Sequence, residues 1–297
     1  MFFRPMSFGE VIDGIFRSLK RTFWPLWWFL FLFNLPLELF LIFWESVAQN
    51  TAIFDGLLLL FFVIYLFFLF PLFQNTCTTV VTRQIKQNEK KLTLGFLFAN
   101  ALKQFDRLFL ANAALLLLLL LLTVVCMLPM VVPIYLFYEP MDLLSNDEQL
   151  ISVIAIVIMV GCMLWLFPAS YLGIRLSLAL PVITEEKLSV KEAFLRSWSL
   201  TKRSYFLLFG KWVMLCFLLV PIIFLGIYLT DVLQEMQLLL DFLLLLIDPV
   251  FIALPHLLLS FIYLNQRAKK EGYDLELLLA ERGGNPLSQK LNRLENN

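Results

Sequence analysis

Charged residues are scarce in this sequence. They make up 15% of its 297 residues, whereas a soluble domain usually carries about 25%. Hydrophobic residues account for 61%, and runs such as 57–72 and 115–122 contain no charged residue. A single water-soluble core of this length could not bury so much apolar surface. The composition therefore excludes a soluble globular protein, a disordered chain and a nucleic-acid-binding protein, and it predicts a membrane protein with several spans.

Residues and motifs that commonly carry catalysis are also few. The chain has one histidine, His256, and four cysteines, none of which lies in a C-x-x-C pair. No G-x-S-x-G, H-E-x-x-H, Walker or dinucleotide-binding motif occurs. We therefore predict a protein that is not an enzyme and that binds no metal or cofactor. His256 is interpreted as a hydrogen-bonding packing residue within a span.

Six mostly apolar stretches reach the length of about 20 residues that a bilayer-spanning helix needs. They are 23–44, 57–81, 108–136, 150–181, 206–229 and 238–264. The first stretch ends near a small-residue sequence that resembles a signal cleavage site. Its apolar run is about twice the usual length for a signal peptide, so we interpret it as a retained span.

Basic residues are absent from three of the connections between these stretches. Segments 45–56, 137–149 and 230–237 contain acidic residues but no lysine or arginine. Basic residues cluster in the alternate segments, from Arg4 near the start to Arg293 near the end. The positive-inside rule then predicts a multi-pass protein of the cytoplasmic (inner) membrane, with both termini in the cytoplasm.

Three segments that precede the odd-numbered spans share one pattern, and they are 7–23, 93–109 and 189–205. Each begins with a serine or threonine, residue types that cap helix N-termini. Ser7 with Glu10 and Ser189 with Glu192 have capping-box spacing. Apolar residues then recur at helical period, and a basic amphipathic helix of this kind lies in the headgroup plane of a membrane.

The predicted fold class is therefore an all-α polytopic membrane protein with an internal repeat. Its six transmembrane helices form three repeats, each a cytoplasmic interfacial amphipathic helix followed by a transmembrane hairpin. The repeats span about 7–91, 93–188 and 189–272 of a single membrane domain at 1–280, and a polar cytoplasmic tail follows at 281–297. Arg21, Arg107 and Arg203 occupy the same position in the three copies. They are candidates for binding anionic lipid headgroups at the inner leaflet.

Polar residues inside the predicted spans are candidates for function, because each is costly in a membrane unless it is paired or hydrated. These residues are Asn34, Glu38, Gln74, Asn75, Arg175, Asp241, Asp248 and His256. Arg175 lies near the inner end of its span, where a long side chain can reach the headgroups. Glu38, Asp241 and Asp248 lie on the outer side and predict an outward-facing acidic vestibule.

The segment 231–247 has two interpretations. If 238–264 is one continuous helix, Asp248 lies about 15 Å deep at 1.5 Å per residue. If Asp248-Pro249 ends an outer interfacial helix, the acidic residues face water. The Asp-Pro pair favours the second interpretation, because proline restricts the residue before it to extended conformations.

Three stretches carry a family resemblance: Phe8-Gly9-Glu10-Val11-Ile12-Asp13, the segment 189–206, and the tail from Tyr263 to Glu276. The tail has the order aromatic, Arg, basic, Glu-Gly, aromatic, Asp-Leu. Together they resemble a group of bacterial six-span proteins related to the membrane domain of glycerophosphoryl diester phosphodiesterases. The resemblance implies a fold and a cytoplasmic-membrane location but no settled reaction. Asn265 stands where the group usually has aspartate, and no catalytic domain is expected after residue 280.

Three classes of function follow from these patterns. The first is a non-enzymatic integral membrane scaffold or accessory subunit that acts on lipid or on a membrane partner. The second is a transporter or permease-like protein that uses the acidic vestibule. The third, a membrane enzyme, is disfavoured by the missing motifs. Expected partners are membrane lipids with anionic headgroups, and also a membrane protein or a second copy of the chain.

Overall fold

The computed structural model describes residues 5–47, 51–86, 92–141, 147–232, 236–273 and 275. Over these residues the chain is helical and contains no β-strand. The helices are α1 (Phe8–Arg21), α2 (Phe23–Val47), α3 (Thr51–Ile64), α4 (Phe70–Ile85), α5 (Leu94–Leu102), α6 (Phe105–Met141), α7 (Asp147–Leu176), α8 (Ala179–Glu186), α9 (Val190–Thr201), α10 (Tyr205–Val232) and α11 (Gln237–Glu271). A π-helical segment, Tyr65–Leu69, joins α3 to α4.

Six helical stretches in the described part of the chain are long and apolar enough to cross a membrane. They are Phe23–Phe40, Gly56–Ile85, Phe105–Cys126, Met159–Glu186, Tyr205–Gly226 and Leu239–Glu271. They coincide with the six stretches expected from the sequence, with shifted ends. The prediction of an all-helical protein with several membrane spans is therefore confirmed.

Helix α11 occupies the centre of the bundle. It packs against α1, α2, α4, α8, α9 and α10, and its residues from Leu257 to Asn265 are all buried. Helices α6 and α7 pair with each other to one side. Helix α10 contacts α7 and α11 and exposes large aromatic side chains such as Phe206, Phe217 and Phe224. The membrane-facing apolar surface is therefore greatest on the peripheral helices.

Short helices precede the first, third and fifth spans. Ser7, Thr93 and Ser189 cap α1, α5 and α9 by accepting backbone N–H groups, and capping boxes are present at Ser7 and Ser189. The predicted caps are therefore confirmed. In α1, however, Val11, Ile15 and Leu19 are buried within the protein, where α11 and α4 are among the neighbours of α1. Part of its apolar face thus packs on the spans.

Pro71, which follows the π-helical segment, leaves one backbone carbonyl without a helical donor. Phe70 donates its backbone N–H to Tyr65 O, so the next π-type bond would need an N–H at position 71, which proline lacks. The freed carbonyl of Leu66 instead accepts from Asn112 Nδ2 on α6 at 2.5 Å. Membrane helices tolerate proline where a neighbouring helix satisfies the freed backbone group in this way.

The sixth span corrects one prediction. Helix α11 continues without a break from Gln237 to Glu271 through Pro249 and Pro255, so the interpretation in which Asp248-Pro249 ends an outer interfacial helix is wrong. Residues 233–235 lie outside the described part of the chain. Trp27 Nε1 donates to Leu246 O at 2.9 Å, and this contact joins α2 to α11 in the turn before Pro249.

Candidate functional site

Four polar side chains form a network in the interior between α4 and α11. These residues, the Gln74 network, are Gln74, Thr78, His256 and Ser260, and none is more than 2% exposed. Gln74 Nε2 donates to Thr78 Oγ1 at 3.0 Å and to Ser260 Oγ at 3.1 Å. The two hydroxyl oxygens lie 3.0 Å apart. The network links two helices through side chains that would be costly to bury singly.

The imidazole of His256 completes this network. Its Nδ1 lies 2.9 Å from Gln74 Oε1. Because an amide oxygen can only accept, His256 must donate through Nδ1–H. The rings of Phe70 and Phe73 flank the imidazole, with centroids at 4.9 and 6.1 Å. This arrangement is the one expected of a hydrogen-bonded packing residue.

Asn75 is adjacent to Gln74 in the sequence but binds a different helix. Its Nδ2 donates to Asn100 O and Ala101 O, each at 3.1 Å. These carbonyls belong to the last turn of α5, where i+4 donors are lacking, and Asn100 O also accepts from the N–H of Lys103 at 3.3 Å. Asn100 Nδ2 in turn donates to Thr79 Oγ1 at 2.7 Å. Asn75 therefore fastens a short helix to α4.

The structure brings together two of the three acidic residues predicted to form a vestibule. Asn34 Nδ2 donates to Glu38 Oε1 at 3.1 Å and to Asp248 Oδ2 at 2.6 Å. These three residues are the Asn34 triad. Asn34 is 3% exposed, so one buried amide holds two carboxyl groups. Asp241 lies on the same helix as Asp248 and forms no hydrogen bond or ion pair with the described residues.

At the opposite end of the bundle, the carboxylate of Glu186 contacts two arginines and a tyrosine. Glu186, the last residue of α8, accepts from Arg196 Nε at 3.0 Å and from Tyr263 Oη at 2.9 Å. Arg267 Nε lies 3.7 Å from Glu186 Oε1 and 3.4 Å from Glu271 Oε2. Arg196 also pairs with Glu271. We call these five residues the Glu186 cluster, and they join α8 and α9 to α11.

The tail pattern noted in the sequence supplies much of this cluster. The guanidinium carbon of Arg267 lies 4.0 Å from the ring centroid of Tyr273. Gly272 ends α11 with φ +65°, a left-handed conformation in which a side chain would be strained. Lys270 Nζ donates to Ser199 O and Lys202 O at 3.2 and 2.6 Å. Glu186 was missed by sequence reasoning, since its role depends on contacts with residues 10 to 85 positions away.

Asn265 has a role that explains the absence of aspartate at this position. It accepts from the backbone N–H of Met6 at 2.9 Å through Oδ1. It also donates to Met6 O at 3.0 Å through Nδ2. An amide can make both bonds, whereas a carboxylate can only accept. Asn265 therefore ties the segment before α1 to the central helix.

Changing Asn265 to aspartate should lower the free energy of unfolding by about 1 kcal/mol, the typical net value of one lost hydrogen bond. The carboxylate would keep the bond from the Met6 N–H but would face the Met6 carbonyl without a donor. Unfolding in mixed detergent micelles, followed by tryptophan fluorescence, measures this change. Met6→Ala is the control, since it keeps both backbone groups; an unaltered stability in Asn265→Asp would contradict the assignment.

Arg175 lies between aromatic side chains at the end of α7. Its guanidinium carbon is 5.1 Å from the Tyr171 ring and 5.0 Å from the Trp198 ring, within the range of cation–π attraction. Its Nη2 donates to Tyr171 Oη at 3.2 Å. The Nε and Nη1 atoms are buried and have no partner among the described residues. Arg175 therefore contacts α9 through Trp198.

The three predicted headgroup-binding arginines lie in different local environments. Arg21 ends α1 and lines a surface cleft with Lys20 and Trp24. Arg107 donates through Nη1 to Lys187 O at 3.0 Å. Arg203 lies at the corner between α9 and α10 with a left-handed φ of 63°. The local geometry thus differs among the three sequence copies.

Comparison with protein families supports the resemblance noted in the sequence. Residues 148–268 match the family described as the membrane domain of glycerophosphoryl diester phosphodiesterase. The resemblance to that membrane domain is confirmed over this range. The range runs from α7 to the last turns of α11 and includes Glu186, Arg196, His256 and Arg267. No curated protein and no solved structure matched the chain.

Proposed function

We propose that the chain is a non-enzymatic membrane scaffold or accessory subunit that acts on lipid or on a membrane partner. The observation that carries this proposal is the filled interior where α2, α4 and α11 meet. Phe29 and Phe73 are fully buried there, with ring centroids 6.4 Å apart. Leu257 and the Gln74 network are buried in the same core. A tightly packed interior favours a structural role over a solute pathway.

Satisfied hydrogen bonds add to this argument. Gln74, Thr78, His256 and Ser260 bind one another, and they use most of their hydrogen-bonding groups within the network. A catalytic or transport site needs polar groups that are available to a ligand. This network instead supports a rigid helix pair, because fully connected polar networks rigidify a core.

The proposal includes the orientation and repeat organisation expected from the sequence. Both termini lie in the cytoplasm, with three units of one short helix and a transmembrane hairpin. Supporting observations are the outer connections without basic residues and the matching caps of α1, α5 and α9. In this orientation Arg21, Arg107 and Arg203 lie at the level of anionic headgroups. Lipid is therefore the first partner to consider.

The Asn34 triad supports a second candidate function, a transporter or permease-like protein. Two carboxyl groups bound to one buried amide, at 3.1 and 2.6 Å, could share a proton or hold a cation. In the proposed orientation they lie on the outer half of the bundle. A structural explanation also exists, since the Asn34–Asp248 bond joins α2 to α11. The two functions make opposite predictions for variants in which uncharged amides replace both carboxyl groups.

Glu38→Gln combined with Asp248→Asn separates these functions. If the protein is a scaffold, we expect the double variant to complement a deletion strain as fully as the unaltered chain does. The amides keep hydrogen-bonding capacity near Asn34 while removing both charges. Asp241→Asn is the matched control, because it removes a charge from the same helix outside the triad. Membrane protein level is measured alongside by immunoblotting.

Loss of complementation in the double variant alone, at an unchanged protein level, would overturn the scaffold proposal and support transport. Loss with a lowered protein level would identify the triad as a structural link. In that case each single variant is compared at matched expression.

A further inference from the structure

Helix α10 carries a buried lysine whose ammonium group makes no hydrogen bond with the described residues. Lys211 is 3% exposed, and its Nζ has no partner among the described residues. It lies six residues after Tyr205, or about 9 Å along the helix at 1.5 Å per residue. An ammonium group in a membrane span is costly unless an anion or water compensates it. An anion or water from outside the described residues would offset this cost.

Lys211 also lines a narrow cleft of about 20 Å³ where α1, α10 and α11 meet. The other lining side chains are apolar and include Ile12, Phe16, Met214, Leu218, Leu254 and Leu258. From Lys211 to Leu218 the cleft follows α10 for seven residues, or about 10 Å. We call it the Lys211 cleft. Lys211 lies toward the N-terminal end of α10, near Tyr205. The apolar lining residues extend from Lys211 toward the C-terminal end of the helix.

The electrostatic surroundings of Lys211 are positive. Lys269 on α11 is close enough to repel the ammonium group of Lys211. No carboxylate in the described residues forms an ion pair with Lys211. An anion between the helices would offset both the desolvation of Lys211 and the repulsion from Lys269.

We propose that one anionic phospholipid binds at the mouth of the Lys211 cleft. The flexible Lys211 side chain extends out of the cleft to the phosphate, and an acyl chain lies along the exposed side chains of Met214 and Leu218. A phospholipid has a negative phosphate next to a long apolar chain. The protein has a lysine next to a row of apolar side chains, so charge matches charge and apolar surface matches apolar surface. A free inorganic anion would use Lys211 but leave the apolar wall unused. This inference rests on the proposed orientation, which places the Tyr205 end of α10 at the inner leaflet.

Native mass spectrometry of the full chain, titrated with phosphatidylglycerol in detergent, tests the site. We expect Lys211→Met to weaken binding of the first phosphatidylglycerol about tenfold, as expected for one lost charged contact. Methionine keeps an unbranched apolar stem, so the cleft wall remains. Lys103→Met is the control, because it removes an exposed lysine at the end of α5. Lys211→Arg should retain binding.

A second variant tests the acyl-chain part independently of charge. Leu218→Trp should obstruct the path of the acyl chain along α10 and weaken phosphatidylglycerol binding while leaving Lys211 in place. Inorganic phosphate should not compete at concentrations that leave the protein folded. Phosphatidylethanolamine should bind more weakly than phosphatidylglycerol to the unaltered chain, and equally to Lys211→Met.

Equal phosphatidylglycerol binding by Lys211→Met and the unaltered chain would overturn the proposal. Competition by inorganic phosphate with unchanged binding in Leu218→Trp would also overturn it and indicate a simple anion site. Neither outcome concerns the Asn34 triad, whose complementation test decides the scaffold proposal separately.

Discussion

Replacing Glu186 with glutamine should lower the free energy of unfolding by about 2 kcal/mol, since breaking a largely buried ion pair leaves an uncompensated charge. The side chains of Glu186 and Arg267 are 17% and 15% exposed. Glutamine can still accept from Tyr263, but it cannot balance Arg196 and Arg267. Glu271 remains to pair with both arginines, so the expected loss is smaller than for a fully buried pair.

The neighbouring Glu185 provides a matched control. It pairs with Lys86 at 3.1 Å, and its side chain is 12% exposed while that of Lys86 is 47% exposed. Glu185→Gln should cost about 0.5 kcal/mol, because water can hydrate the exposed lysine that loses its partner. Unfolding by sodium dodecyl sulfate in mixed micelles, followed by tryptophan fluorescence, measures both variants. Equal losses in the two variants would contradict the central role of Glu186.

Salt should affect the two variants differently. Added salt screens exposed charges more than buried ones. The cost of Glu185→Gln should therefore disappear in high salt, while most of the cost of Glu186→Gln should persist. This comparison separates a largely buried charge cluster from a pair whose cation is exposed.

Replacing Gln74 with leucine should lower the free energy of unfolding by about 2 kcal/mol, the penalty for a buried polar group without a partner. The change removes the acceptor of His256 Nδ1–H and the donor to Thr78 and Ser260. His256→Phe should have a similar effect, because it leaves Gln74 Oε1 without a donor.

The double variant Gln74→Leu with His256→Phe is the decisive measurement. Removing both partners with apolar groups leaves fewer orphaned atoms, so its loss should be smaller than the sum of the single losses. We expect a coupling energy of about 1.5 kcal/mol, near the upper end of values measured between membrane helices. Strictly additive losses would show that the network does not act as a unit. Asn75→Leu combined with His256→Phe is the control, because Asn75 contacts α5 instead.

The sequence by itself determined the class of the protein, its spans and the starts of its short helices. Spans are predictable because about 20 consecutive apolar residues satisfy the bilayer regardless of their neighbours. The caps at Ser7 and Ser189 are predictable because the donor and acceptor lie within one helical turn. The family resemblance also followed from contiguous residues, and it is confirmed for 148–268.

Tertiary structure decided which polar residues meet. Gln74 and His256 are 182 residues apart, and Asn34 and Asp248 are 214 apart. The spans are apolar on nearly every face, so the sequence specifies neither the order nor the rotation of the helices. For the same reason Asp241 could not be separated from Asp248, although only Asp248 binds Asn34. Asn112, Glu186 and Lys211 received no role from the sequence.

The proline positions also separate what the sequence determines from what helix packing decides. The sequence shows where Pro71 and Pro249 remove a backbone donor, and it favours a helix break at Pro249. Asn112 on α6 donates to the Leu66 carbonyl that Pro71 leaves free, whereas α11 continues through Pro249. Whether a membrane helix continues through proline depends on such donors from adjacent helices. The loss of a donor is therefore a local property of the chain, whereas its replacement exists only after the helices have packed.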